Sequence, residues 1–318
     1  TGICRAPHRI LAISFKSDAA KNLKERVRQR CGPELSGRFD SLTFDAFSKG
    51  LVDRFGELIP APYTPSPDYE IAFPGFRDWD DFLTRHGYQH LSGKTLEQAV
   101  ARCRLPIETL NPKNPQWKDV LTRFWSEYYR DESLTRLTFP MINRLVNYVL
   151  SHDPRLVAGL QATYPVVFLD EFQDTTFGQY DLLKRLFLNS DARLTAVGDN
   201  KQRIMVWAGA MPDAFKTFAA DFGAKQETLI SNWRSHPELV EIQHAIAVSL
   251  EASSAKPDAK RIKGVDGDVC AIWAYDDRVS ECEGVANWIA SAIYSGEMAP
   301  EDCAVLVRFK PDVLEGEL

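Results

Sequence analysis

Short apolar runs, each closed by polar or small residues and followed by a longer stretch of helical period, recur at both ends of the chain. Residues 10–13 (ILAI) read as a strand. In the stretch SDAAKNLKERVRQRCGP that follows, Ala19, Ala20, Leu23 and Val27 fall at helical spacing before the Gly32-Pro33 stop, with Ser17 as the expected N-cap. Residues 41–44 (SLTF) and 45–55 repeat the unit. A proline-rich connection, with Pro60, Pro62, Pro65, Pro67 and Pro74, then breaks the alternation, and the chain to about residue 137 reads as mostly helical. The alternation resumes with the helical LTFPMINRLVNYVL and the run 166–169 (VVFL), which reads as a strand buried on both faces of a parallel sheet. Strands are expected again at 194–197 and 228–230. Ser235 with Glu238 forms a capping-box pattern, and a last β/α unit is expected from 269–273, a helix near 283–294 and 304–307. Alternating strands and helices predict an α/β fold built on a parallel sheet.

Composition narrows the class. A length of 318 residues suits about two domains, and 44% hydrophobic with 26% charged residues excludes disordered and fibrous proteins. Six scattered cysteines without a C-x-x-C pair point away from zinc and redox motifs and toward reduced thiols in the cytoplasm. No run approaches the length of a membrane span. The net charge of -6 excludes bulk-charge coating of nucleic acid, yet residues 1–56 carry eleven Lys/Arg against six acids, a local +5.

Chemistry gathers at the expected strand ends, where ligands of parallel sheets collect. Asp170-Glu171 follows the 166–169 strand. Alone, such a pair is more often a helix cap or surface charge. The next strand, however, ends VGDNKQRIMVWAGA, with Gly198-Asp199 at the turn, Gln202 able to meet a phosphate, and Trp207. A third ends ISNWRS, placing Arg234 beside Trp233. Three consecutive strands with such termini are hard to explain as packing.

The ordered series SFKSDAAKNLKERV, LTFDAF, VVFLDEFQDT, VGDNKQRIMVWAGA and LISNWRS resembles the successive motifs of UvrD/Rep-like superfamily 1 DNA helicases, covering about residues 10 to 240. The resemblance implies RecA-like parallel sheets flanked by helices. It divides the chain into a first RecA-like domain (1–62 and 136–224), a helical insertion (63–135) and the start of a second RecA-like domain (225–318). It implies ATP and Mg²⁺ as cofactors and single-stranded DNA and duplex junctions as partners. By the same resemblance Asp170 would hold Mg²⁺ and Glu171 would be the general base for the attacking water. Gln173 and Asp199 would belong to the ATP site, Gln202 would sense the γ-phosphate, and Arg234 would act as an arginine finger. Trp233 stands where the family stacks a tyrosine on adenine. Phe15, Lys16, Phe44 and Trp207 match positions near single-stranded DNA, although a charged helix face explains Lys16 equally well.

The chain also departs from the pattern. Met205 and Ala208 replace a usual Tyr and Arg, Arg203 takes a usual Ser position, and Asp45 replaces a frequent His. No G-x-x-x-x-G-K-[ST] phosphate loop is present. GYQHLSGKT, residues 87–95, has five residues between its glycines and follows no buried strand, so it is read as a decoy. By family order the loop is expected before Thr1 and later arginine motifs after Leu318, so 1–318 alone is expected to hydrolyse ATP poorly. The competing expectation is a non-catalytic or split module that binds DNA or a partner protein.

Overall fold

The computed structural model describes residues 4–111, 115–129, 135–206, 209–261 and 269–307. The chain forms two compact units, Thr1–Glu227 and Thr228–Leu318. The first is built on a four-stranded parallel sheet of order β2-β1-β5-β6. Its strands are β1 (Ile10–Ser14), β2 (Phe39–Thr43), β5 (Val166–Leu169) and β6 (Arg193–Ala196). Ile13 sits opposite both Leu42 and Leu169, so the carboxyl ends of β1, β2 and β5 lie along one rim.

Helix α1 (Ser17–Ser36) crosses from β1 to β2, and α2 (Phe44–Phe55) follows β2 directly. The Gly32-Pro33 stop appears as a kink, Gly32 taking φ 76° before the last turn. Ser17 is not the cap: Lys16 holds that place without a side-chain bond, and the helix begins at Ser17 itself. Thr43, by contrast, accepts from Ala46 N at the start of α2.

Between α2 and α6 (Phe139–His152) come a two-residue parallel ribbon, β3 (Glu70–Ile71) with β4 (Arg136–Leu137), and three helices: α3 (Phe76–Arg85), α4 (Gly93–Arg102) and α5 (Gln116–Tyr129). Their apolar faces, including Trp79, Phe82, Leu96 and Phe124, join the same core as Leu11 and Leu169. The GYQHLSGKT decoy resolves here as the start of α4. Ser92 caps Thr95 N, and Gly93 packs so tightly on α3 that a Cβ would meet Trp79 Cβ at 2.7 Å. Helices α7 (Pro154–Thr163), α8 (Phe177–Phe187) and α9 (Ala214–Phe222) complete the unit.

β5 is not buried on both faces. Val167 and Leu169 are sealed, whereas Phe168 is 41% exposed, so among the described residues only one face of this strand is covered by helices. The apolar run therefore overstates its burial.

In the second unit β7 (Ser231–Asn232) pairs in parallel with β8 (Asp258–Ala259), and α10 (Pro237–Leu250) and α11 (Arg278–Tyr294) are its helices. The strands expected at 228–230, 269–273 and 304–307 do not form among the described residues. A strand requires a neighbour to take its backbone groups, and Leu229, Ile272 and Leu306 are 84%, 96% and 94% exposed. The Ser235 capping box is likewise absent. His236 is the cap residue, and Asn232 Oδ1 instead accepts from Arg234 N and Ser235 N. No helix among the described residues is long and apolar enough to cross a membrane, and all six cysteines are unpaired.

At the end of the sheet away from the rim, Asp40 accepts from Arg9 Nε at 2.6 Å and from Tyr164 Oη at 2.9 Å, tying the entries of β1, β2 and β5 together. Burial opposes ionisation of Asp40, but the Arg9 and Tyr164 bonds outweigh it and hold its carboxyl below the usual range. A carboxyl depressed in the folded state stabilises above its unfolded pKa of about 3.9, and that contribution disappears as pH falls through the folded value. Asp40→Asn should therefore lower unfolding free energy by about 1–2 kcal/mol at pH 7, with the gap from wild type narrowing below about pH 4. Denaturant melts at both pH values check this; an equal gap at each would contradict it.

Candidate functional site

The site begins at the carboxyl end of β5. Asp170 N donates to Ile13 O at 2.8 Å, which continues the ladder one residue past the strand and fixes where the acidic pair leaves the sheet. Glu171 then adopts φ 51°, ψ 42°, a left-handed conformation that costs a residue with a Cβ roughly 1–2 kcal/mol. Such outliers persist where the surroundings over-determine them. Here the next residue, Phe172, is 1% exposed and packs edge-on against Phe215 and Phe218 of α9, while its N–H donates to Val197 O at 3.0 Å. The one-turn 3₁₀ helix Phe172–Asp174 follows at once, so the chain has to reverse within Glu171.

That reversal brings Gln173 back against Glu171. Gln173 Nε2 donates to Glu171 Oε2 at 2.7 Å, and Gln173 Oε1 accepts from Asp199 N at 3.1 Å. The amide is thus oriented by partners on the ends of two adjacent strands. Asp199 in turn accepts from Lys201 N at 3.0 Å, is paired with Lys201 Nζ at 2.9 Å, and receives Gln202 Nε2 at 3.4 Å. Burial opposes its ionisation, but Lys201 keeps its carboxyl below the ordinary value. Asp199 shapes this turn, and Gln202 stands exposed at its tip.

The Asp170 carboxyl is pushed above its ordinary value, chiefly because packed protein removes water around it. The Glu171 backbone N–H opposes that shift, and the Glu171 charge adds to it. Asp174 is also raised, by burial first, and its Oδ1 is buried without a hydrogen-bond partner. Among the described residues no three His, Cys, Asp or Glu side chains form a cage. One or two carboxylates beside an open rim suit Mg²⁺, which takes few protein ligands when phosphates and waters complete its shell.

The remaining expected residues are distributed unevenly. Phe15 is half-buried and Lys16 exposed just beyond β1, on the same rim, with Lys16 near enough to lower the Asp174 carboxyl. Phe44 is a correction: at 5% exposure it belongs to the core of α2 and offers no face for stacking. Trp207 lies outside the described residues. In the second unit Trp233 is 73% exposed, and Arg234 lies in the exposed turn held by Asn232. The sequence placed Gly198 at the β6 turn without showing its packing role: a Cβ there would overlap Gln173 Oε1 and lie 3.0 Å from Phe172 N. Its signal was a glycine straight after a strand, where close backbone approach is common.

A four-stranded parallel sheet flanked by helices, with carboxylates and glutamines at adjoining strand ends, is consistent with a RecA-like domain. Residues 4–223 match the family model for the UvrD/REP helicase N-terminal domain, and the chain belongs to that family. It is 25% identical over 310 residues to the ATP-dependent DNA helicase PcrA of Bacillus subtilis, covering 95% of this chain and 41% of that protein. It is 23% identical over 328 residues to DNA helicase II of Escherichia coli (95% and 42%). It is 21% identical over 307 residues to a probable DNA helicase II homolog of Mycoplasma pneumoniae (90% and 42%). The chain spans about two fifths of the length of these curated relatives.

Gly198→Ala should displace Gln173 or the Phe172 backbone and lower unfolding free energy by about 1–3 kcal/mol. A denaturant melt reads this directly, and wild-type stability in the variant would show that the close approach is not required.

Proposed function

We propose that this chain is part of an ATP-dependent DNA helicase and translocase of the UvrD/Rep type, which couples ATP hydrolysis to movement on single-stranded DNA and to duplex unwinding, 3′ to 5′ as the resemblance implies. The observation that carries this reading is the bridge from Glu171 through Gln173 to Asp199 N, which joins a potential base to the turn bearing Gln202. Packing alone gives no reason for a strained Glu171 to be held in this way.

In this reading residues 1–62 and 136–224 form the first RecA-like domain, 63–135 its helical insertion, and 225–318 the opening of the second. Asp170 holds Mg²⁺, which when bound neutralises phosphate charge. Glu171 takes the proton of the water that attacks the γ-phosphorus, as the bond to the departing ADP oxygen breaks. Gln173 keeps the Glu171 carboxylate aimed, because its amide cannot rotate without losing Asp199 N. Gln202 reports the presence of the γ-phosphate to the β6 loop. Arg234 acts as an arginine finger on the transferring phosphoryl group, and Trp233 stacks on adenine. Phe15 and Trp207 stack on bases and Lys16 meets a backbone phosphate, contacts that tolerate any sequence and suit a motor. Single-stranded DNA and its junctions with duplex are the partners, and the cytoplasm is the compartment.

Glu171→Gln in the full-length protein of the source cell should lower ATP turnover by about 10²–10⁴-fold while nucleotide binding stays within about threefold. Steady-state ATP hydrolysis and a fluorescent-nucleotide titration measure the two. Unchanged turnover would remove Glu171 from the general-base role.

A further inference from the structure

Ser14 closes β1 at the rim and is fully buried, yet its Oγ has no hydrogen-bond partner among the described residues. A buried hydroxyl that gives up water without a replacement is unfavourable, and native structures hold few of them. The register of the sheet shows what adjoins it. Ser14 is paired with Thr43 on β2, and two residues earlier Ala12 is paired with Ser41. On the other side Ala12 is paired with Phe168, and the bond from Asp170 N to Ile13 O carries the β1–β5 ladder one step further, which makes Asp170 the partner of Ser14. Paired residues of a parallel sheet send their side chains to the same face. Thr43, Ser14 and Asp170 therefore form a row across three strands, with Ser41, Ala12 and Phe168 as the row behind it.

The other members of these rows are committed elsewhere or apolar. Thr43 Oγ1 is turned to Ala46 N, from which it accepts at 3.1 Å as the cap of α2. Ser41 Oγ donates to Ala20 O of α1 at 2.8 Å. Ala12 and Ala20, 1% and 5% exposed, have only methyl side chains. That leaves the Asp170 carboxylate, the strongest acceptor in the two rows, beside a hydroxyl with nothing to donate to. Neighbouring strands lie about 4.8 Å apart, a gap that one rotamer change of the exposed Asp170 closes.

We propose that Ser14 is a positioning residue for Asp170: its buried hydroxyl donates to one carboxylate oxygen and leaves the other directed at the cation that accompanies the nucleotide. The inference rests on the helicase reading above, in which Asp170 holds Mg²⁺. A carboxylate that swings freely at an open rim binds a cation less tightly, because binding must also fix its rotamer. Ser14 is already immobile within β1, so it supplies orientation without further loss of freedom. Hydrogen bonds of this kind commonly orient metal-binding carboxylates.

The test uses the full-length protein of the source cell with ADP bound, so that hydrolysis plays no part, and Mn²⁺ as a paramagnetic substitute for Mg²⁺. Electron paramagnetic resonance reads free Mn²⁺ and gives its Kd. Ser14→Ala should raise that Kd about tenfold, the scale for loss of a group that orients a metal ligand. ADP affinity in EDTA should stay within about twofold, and the melting temperature of the metal-free protein should not fall, since the hydroxyl removed has no partner there. In an Asp170→Asn background the same change should add less than about twofold, because its effect passes through Asp170. A wild-type Kd in Ser14→Ala overturns the proposal, and so does a full tenfold loss in the Asp170→Asn background. A raised Kd accompanied by a lower melting temperature and weaker metal-free ADP binding overturns it too, since Ser14 would then act on the fold. Wild-type protein that takes up no Mn²⁺ with ADP overturns the helicase reading and this role together, whereas uptake that Ser14→Ala leaves unaltered overturns this role alone.

Discussion

The left-handed backbone of Glu171 is the constraint on which the rest of the site depends. It lets the chain leave β5, reverse in one residue, and return Gln173 to bond both the Glu171 carboxylate and Asp199 N. The conformation is unfavourable by roughly 1–2 kcal/mol for a side chain with a Cβ. Three features offset it: the buried Phe172 ring, the Phe172 N–H to Val197 O bond, and the absence of a side chain at Gly198. Each would serve a structural turn equally well. What distinguishes this turn is that the strained residue is an acid whose own side chain is then fastened.

The fastening explains why the two strand ends act as one unit. A glutamine that bonds a single partner can rotate, and the group it orients is then free to wander. Gln173 has its nitrogen and its oxygen engaged at the ends of different strands, so its amide links the Asp199 turn to the Glu171 carboxylate. The Asp40 cluster with Arg9 and Tyr164 secures the opposite end of the same strands. The sheet is therefore tied at its entry as well as at its rim.

Much of this was legible in the residues. The four strands of the first sheet were anticipated within two residues, because apolar runs in a parallel sheet are continuous and abruptly closed. The acidic pair, the β6 turn and the two glutamines were found because they follow such runs. Burial was less legible. Phe44 sits on the inward face of α2, and Phe168 on an open face of β5, and neither outcome is fixed by local pattern. Side-chain networks were not visible at all: Ser48 and Asn143 are far apart in sequence and meet only after α2 and α6 pack.

The second unit shows the same limit from another side. Residues 228–230, 269–273 and 304–307 have strand composition, yet among the described residues none forms a strand, because β propensity expresses fit to a sheet rather than an intrinsic backbone preference. The two-residue β7–β8 ladder forms where Asp258 N reaches Ile230 O and Lys260 N reaches Asn232 O. Helices α10 and α11 satisfy their backbone internally and need no such partner, which is why both formed near their expected places. In the turn after β7, Asn232 Oδ1 binds two successive backbone N–H groups, so Arg234 is placed by its own local turn and not by the sheet. The backbone of this turn is thus set by a few neighbouring residues, in a unit whose larger pattern was misjudged.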